Sequence, residues 1–355
     1  MAEVYDPPRG GSRDRVVAGK PPDRQTLAMT TTGDSRIELV MGGTAVDIDD
    51  DDWSGEARYF EYSRAANPVG SGRIPPVAME RFPAERHRAV TTGIVPFDLS
   101  GPLGETTPAT SPALLASFVR IAPGDSVETA PVATSELYCV LEGAGRSTVD
   151  GRDLHWSKGD FFVLPANCRT THRASADTTI YWVTDEPLLR YLGVAPIERR
   201  FAPTRFPAAR VQAELDDVEH SPRATDRNRL SILLNTTPND MTQTVTHVLW
   251  AMYGLLPVDA VQRPHRHQSV ALDLVGDCAP GCYTLVGRSI DEDGDIVDPI
   301  RVDWQPHSAF VTPPGLWHAH FNESGERAWI IPIQDAGLHT HLRSLDIRFA
   351  PPRRT

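Results

Sequence analysis

The chain has 355 residues, 40% of them hydrophobic, which is enough for two ordinary domains with real cores, and its longest apolar stretch is too short to span a bilayer. Lys and Arg number 35 against 47 Asp and Glu, a net charge of −12 that repels phosphate backbones and anionic lipid and argues against nucleic-acid or membrane partners. Cys139, Cys168, Cys278 and Cys282 form neither a CxxC framework nor a disulfide-dense scaffold, and the N-terminus lacks a basic start followed by an apolar run, so a cytoplasmic protein with reduced thiols is expected.

Residues 1–55 are expected to form a flexible arm, because their Pro, Gly, Arg, Asp and Thr content leaves little apolar surface to bury. The run Asp47 to Asp52 within it reads as a solvated loop, since it lacks the Gly and closing Glu of a calcium loop. Short apolar segments bounded by turns follow over 56–195, among them Ala113 to Ile121, Glu136 to Leu141, Phe161 to Leu164 and Thr179 to Val183. With 31 prolines and 26 glycines supplying the turns, the pattern predicts an all-β barrel rather than helices. Residues 196–229 form a linker, in which Val211, Leu215 and Val218 at helical spacing behind Pro207 predict a short connecting helix. The strand pattern resumes over 230–355.

Two echoes point to duplication. Arg81-Phe82-Pro83-Ala84 with Arg86 recurs as Arg205-Phe206-Pro207-Ala208 with Arg210, and Gly159 to Pro165 recurs in modified form as Pro306 to Pro313.

Eight of the twelve histidines lie between His247 and His341. In a strand, residues i and i+2 point to one face, so His265 and His267 aim together into a barrel, and a third imidazole from a later strand would complete a facial set of neutral donors. Such a set suits Fe, Mn, Ni, Cu or Zn and leaves positions open for ligands.

The segment Pro264-His265-Arg266-His267-Gln268-Ser269, followed by Thr312-Pro313-Pro314-Gly315-Leu316-Trp317-His318-Ala319-His320-Phe321-Asn322-Glu323, resembles the two cupin motifs of the gentisate and salicylate 1,2-dioxygenases. The resemblance is strong over the C-terminal third and otherwise extends only to the layout of two tandem cupin barrels. It implies Fe(II) held by His265, His267 and His318, with His320 facing the substrate as a hydrogen-bond partner or proton relay. It further implies a small aromatic substrate, dioxygen as co-substrate, and a homo-oligomer by analogy. Against the same template, the first barrel places Ala130, Val132 and Thr170 where the ligands would stand and keeps only His172, so it is expected to bind no metal.

Two departures bear on the substrate. The glutamate that many cupins place after the HxH is replaced by Ala271 and Leu272, so a bound dication would keep most of its charge. Where the gentisate-type enzymes carry an arginine that grips the substrate carboxylate, this chain has Asp273, whose parity matches His265 and His267. That residue is expected to select an amino- or hydroxy-substituted aromatic acid. Trp317, Gln268 and His247 are expected in the substrate pocket. A non-oxidative metal-dependent cupin enzyme (hydrolase, isomerase or lyase) and a metal-bound small-molecule binder are the alternatives.

Overall fold

The structure, a computed structural model, describes residues 57–351 apart from 223, 225 and 226; the expected arm over 1–55 and its acidic run lie outside the described residues. The chain divides into two compact units at Ala65 and Ala66. In the first, the described residues form one helical turn, Tyr62–Ala65. Among the described residues no helix is long and apolar enough to cross a membrane.

The second unit is built from four antiparallel sheets. In its first half a six-stranded sheet runs in the order Thr204–Phe206, Phe161–Pro165, Ser135–Glu142, Thr178–Thr184, Leu115–Ile121, Gly93–Pro96. Its partner has four strands, Ser126–Thr129, Thr170–Ala174, Ala144–Val149 and Arg152–Ser157. In the second half the six-stranded sheet runs Arg81–Phe82, Ala309–Thr312, Ala271–Asp277, Ala328–Gln334, Trp250–Leu256, Leu230–Leu234. A five-stranded sheet completes it: Ile300–Asp303, Cys282–Gly287, Trp317–Asn322, Val261–Arg266 and Arg348–Phe349. Each half is thus a two-sheet jelly-roll barrel, and the helix Ala208–Glu219 lies between them in sequence, where the apolar spacing predicts one.

The two six-stranded sheets pack back to back, so their strands are buried on both faces and read as continuous apolar runs. In Ser135–Glu142, Tyr138 and Val140 fill the first barrel, while Leu137, Cys139 and Leu141 join Leu272, Leu274 and Ile331 of the other half in the shared core.

The RFPA echo marks an exchange of strands. Arg81 and Phe82, expected within the first barrel, pair with Phe310 and Ala309 of the second. Arg205 and Phe206 pair with Phe162 and Phe161 of the first. The range expected for the first barrel therefore lends an edge strand to the second, and the segment expected as linker lends one to the first. Phe82, 1% exposed, stacks on Phe97 at 4.3 Å between ring centroids, which fastens one crossover into the shared core.

Candidate metal centre

Two neighbouring antiparallel strands build the site. His265 on Val261–Arg266 lies opposite His318 on Trp317–Asn322, and Gln262 lies opposite His320. Three positions on one strand thus span two on the other, a bulge that lets Gln262 and His265 both point inward. Pro264 sits in that bulge, where its missing N–H costs no ladder bond. His318 and His320, two apart, share the inward face. All four imidazoles of this cluster are buried, and the ring centroids of His265 and His318 are 4.0 Å apart, with His267 4.9 Å from His318. One nitrogen each from His265, His318 and His320 lies within 4.8 Å of the others.

The hydrogen bonds distinguish the four rings. Nδ1 of His265 donates to the carbonyl of Arg263 at 3.2 Å, Nδ1 of His267 to that of Ser269 at 2.9 Å, and Nδ1 of His318 to that of Leu316 at 3.1 Å. A carbonyl accepts only, so each bond fixes the proton on Nδ1 and leaves Nε2 as a lone pair. His267 Nε2 is buried with no partner at all. His320 is held differently: its Nδ1 meets Thr284 Oγ1 at 2.8 Å, and that hydroxyl also accepts from Trp304 Nε1 at 2.9 Å. Burial is the chief reason that His265, His318 and His320 lie well below the ordinary imidazole pKa and that His267 falls to about 4, so all four are neutral and able to ligate at neutral pH.

A cavity of about 350 Å³ reaches His265 and His267, walled by Arg229, Trp250, Met252, Gln334 and Phe349. Phe349, on a C-terminal strand paired to His265, stacks on that ring at 5.7 Å. Arg229 is the residue that sequence reasoning missed. Its Nη2 donates to His265 Nε2 at 2.8 Å and its Nη1 points at Met252 Sδ at 3.5 Å, neither of them an anion, and burial depresses its pKa. It lies in a segment without a motif, before a short strand, and nothing in its spacing links it to the histidines.

The other expected residues divide. Asp273 faces the barrel interior in register with Phe310, accepts from Thr312 Oγ1 at 2.6 Å, and is pushed up to about 6, by burial first, against the pull of Thr312 and Arg229. It does not wall the 350 Å³ cavity. Trp317 stands one residue from His318 and so on the opposite face, where the Arg266 guanidinium lies 5.1 Å from its ring. Gln268 is exposed and accepts from the Asp346 backbone N–H at 2.6 Å, tying down the C-terminal segment. His247 lines a separate and larger cavity of about 650 Å³ with Leu189, Met241 and Leu338. Trp317, Gln268 and His247 therefore stand outside the histidine pocket.

Among the described residues, the first barrel brings no three metal-ligating side chains together. The position opposite Thr170 is Thr129, so strand register moves the template by one residue from Ala130, and Val132 is exposed. His172 bonds at both nitrogens, to Ser147 Oγ at 2.7 Å and Thr129 Oγ1 at 2.9 Å, and stacked Tyr138, Phe162 and Trp182 fill the interior.

A cupin-domain family model matches residues 117–184, within this first barrel. The chain is 28% identical over 170 residues to a 5-aminosalicylate 1,2-dioxygenase from Comamonas sp., a match that spans 44% of each chain. Among solved structures, the salicylate 1,2-dioxygenase of Pseudaminobacter salicylatoxidans aligns with a TM-score of 0.60 at 13% identity, covering 77% of this chain and 88% of that one. A variant of that enzyme in complex with gentisate aligns at 0.59 and 12% identity, covering 81% and 92%. Sheet order and these likenesses together identify the chain as a bicupin that resembles the gentisate and salicylate 1,2-dioxygenases.

Proposed function

We propose that this protein is an Fe(II)-dependent, ring-cleaving dioxygenase acting on a hydroxy- or amino-substituted aromatic acid. The observation that carries the proposal is the pairing of three imidazoles, each with Nδ1–H fixed on a main-chain carbonyl, with a buried arginine that forms no ion pair among the described residues. The donor set fits a divalent metal: His265, His267 and His318 would hold it through Nε2, and the orphaned His267 Nε2 is the atom that most needs one. Iron bound there would supply the reaction with dioxygen.

The remaining residues act on the substrate. Were His265 Nε2 to ligate a metal, it could no longer accept from Arg229, whose guanidinium fork would then be free to bind a substrate carboxylate. Trp250, Met252 and Phe349 wall the cavity with apolar surface, which suits an aromatic ring and keeps water from it. Ser269 Oγ donates to Gln334 Oε1 at 2.9 Å and braces His267. His320, whose Nδ1 is held by Thr284, has its Nε2 side in the cluster to give or take a proton. A negative Asp273 opposes a second negative charge on the substrate and favours an amino or hydroxyl substituent.

Oxygen uptake by protein loaded anaerobically with Fe(II), measured against a panel of hydroxy- and aminobenzoates, tests this reading. Substrate-dependent uptake supports it; turnover without oxygen, or metal-loaded protein inert to the whole panel, contradicts it.

A further inference from the structure

We propose that residues 346–349 form a strap over the histidine pocket, which lifts to admit the substrate and closes behind it. The inference rests on the proposed reading of that pocket as the substrate site. His265 and His267 are each 3% exposed, His318 2% and His320 1%, so open surface hardly reaches the rings that would hold the metal. An aromatic acid arrives beside them only if one wall of the pocket moves.

The barrel walls are fixed. Trp250 and Met252 lie on the strand Trp250–Leu256, which is paired along both edges, by Leu230–Leu234 and by Ala328–Gln334. Gln334 ends the second of these, itself paired on its far edge by Ala271–Asp277. Moving either strand breaks two ladders. Arg229 enters beside Asn228, whose Oδ1 accepts from the Arg263 backbone N–H at 2.9 Å, and Arg229 itself bonds His265.

The remaining wall is Ile347 and Phe349, two apart and so on one face of the strap. This segment is the edge of its sheet and is paired on one side only, Phe349 with His265 and Arg348 with Arg266. One side-chain tie adds to that: Gln268 Oε1 accepts from the Asp346 N–H at 2.6 Å. Arg348 and Asp346 pair with each other at 2.6 Å in solvent and fasten the strap to nothing. Phe349 lays its ring on His265 at 5.7 Å yet keeps 51% of its surface exposed, so lifting it uncovers little further apolar area. Both ends are anchored. The Ser344 and Leu345 N–H groups donate to the His339 carbonyl, and the buried Ala350 donates to the Pro264 carbonyl at 2.7 Å. The piece left to move is the one that walls the pocket.

The test uses full-length protein loaded with Zn(II), which has no redox chemistry, and 2-aminobenzoate, whose own fluorescence reports binding in a stopped-flow mixer. Arg266 and Arg348 are cross-strand partners at a spacing a disulfide bridges, and the four native cysteines are buried. Arg266→Cys combined with Arg348→Cys therefore staples the strap on mild oxidation, with closure verified by thiol titration. The staple should slow association at least about tenfold, and reductant should restore it. Gln268→Ala, which removes one tie, should speed association roughly two- to tenfold at unchanged zinc content, and it stands as the test if the staple does not form. Association as fast with the staple closed as with it open overturns the strap and leaves the reading of the pocket intact, as does association unchanged by Gln268→Ala. Failure of the reduced protein to bind 2-aminobenzoate at all overturns both.

Discussion

His172 and His320 occupy the same place in the two barrels and make the same bond. Each presents Nδ1 to a strand hydroxyl, Ser147 at 2.7 Å or Thr284 at 2.8 Å, and each hydroxyl accepts an indole N–H, from Trp156 at 2.8 Å or Trp304 at 2.9 Å. The first barrel keeps this network with no ligand set beside it. The network is therefore a packing device of the fold, and in the second barrel it holds His320 beside the three histidines whose Nδ1 atoms bond to the main chain. On the proposed reading, this separates holding the metal from serving the substrate.

Arg229 is expected to set affinity for the acid group. Arg229→Gln should raise KM for an aromatic carboxylate roughly 10- to 100-fold, the scale of a lost charge-assisted bond, while leaving iron content unchanged. Arg229→Lys should recover part of the loss, because it restores charge without the fork. Steady-state kinetics with parallel metal analysis measures both.

Asp273 predicts a pH effect on binding. Its pKa of about 6, raised by burial, makes it neutral below that pH and negative above it, close enough to Arg229 for the two charges to interact. The negative form opposes an anionic substrate and competes for the guanidinium. KM for an aromatic acid should therefore rise roughly three- to tenfold between pH 5 and pH 7, and Asp273→Asn should flatten that rise. Initial rates across the range check it.

Glu136 makes a prediction about stability. Buried in the first barrel and accepting from Tyr138 at 2.6 Å, it is pushed up from 4.5 to about 8, chiefly by burial. Below pH 4.5 folded and unfolded chains both keep the proton, and the group costs nothing. Between 4.5 and 8 the unfolded chain releases the proton and the folded chain retains it, so stability falls as pH rises, with the full cost present above 8. Glu136→Gln should melt several degrees above the wild type at pH 9 and close to it at pH 4, as followed by circular dichroism.

The crossover strand predicts a coupled core. Phe82→Ala removes a fully buried ring from the interface between the barrels and should destabilise the protein by about 3–5 kcal/mol. If the exchange joins the halves, denaturation of this variant remains a single transition.

Much of this was legible in the sequence, and the missing parts share a cause. Turn residues and short apolar runs give the barrels, and the i, i+2 parity gives the inward set of His265, His267, His318 and His320. The same parity, applied one residue over, already turns Trp317 outward. The RFPA echo marks duplication, but no local pattern says that each copy pairs with the other barrel, because strand partners are chosen by long-range packing. Arg229 and Phe349 enter the site from 36 residues before His265 and from the end of the chain, so neither spacing nor periodicity connects them to it. His247 and Gln268 are near the histidines in sequence only.

The central claim is that His265, His267 and His318 hold the metal and His320 does not, although proximity alone would group His265, His318 and His320. Iron content of His267→Ala and His320→Ala, each purified anaerobically and loaded with Fe(II), decides between them. The account predicts that His267→Ala loses its iron and that His320→Ala keeps about one iron per chain while turning over poorly. Retention of iron by His267→Ala together with its loss from His320→Ala would contradict it.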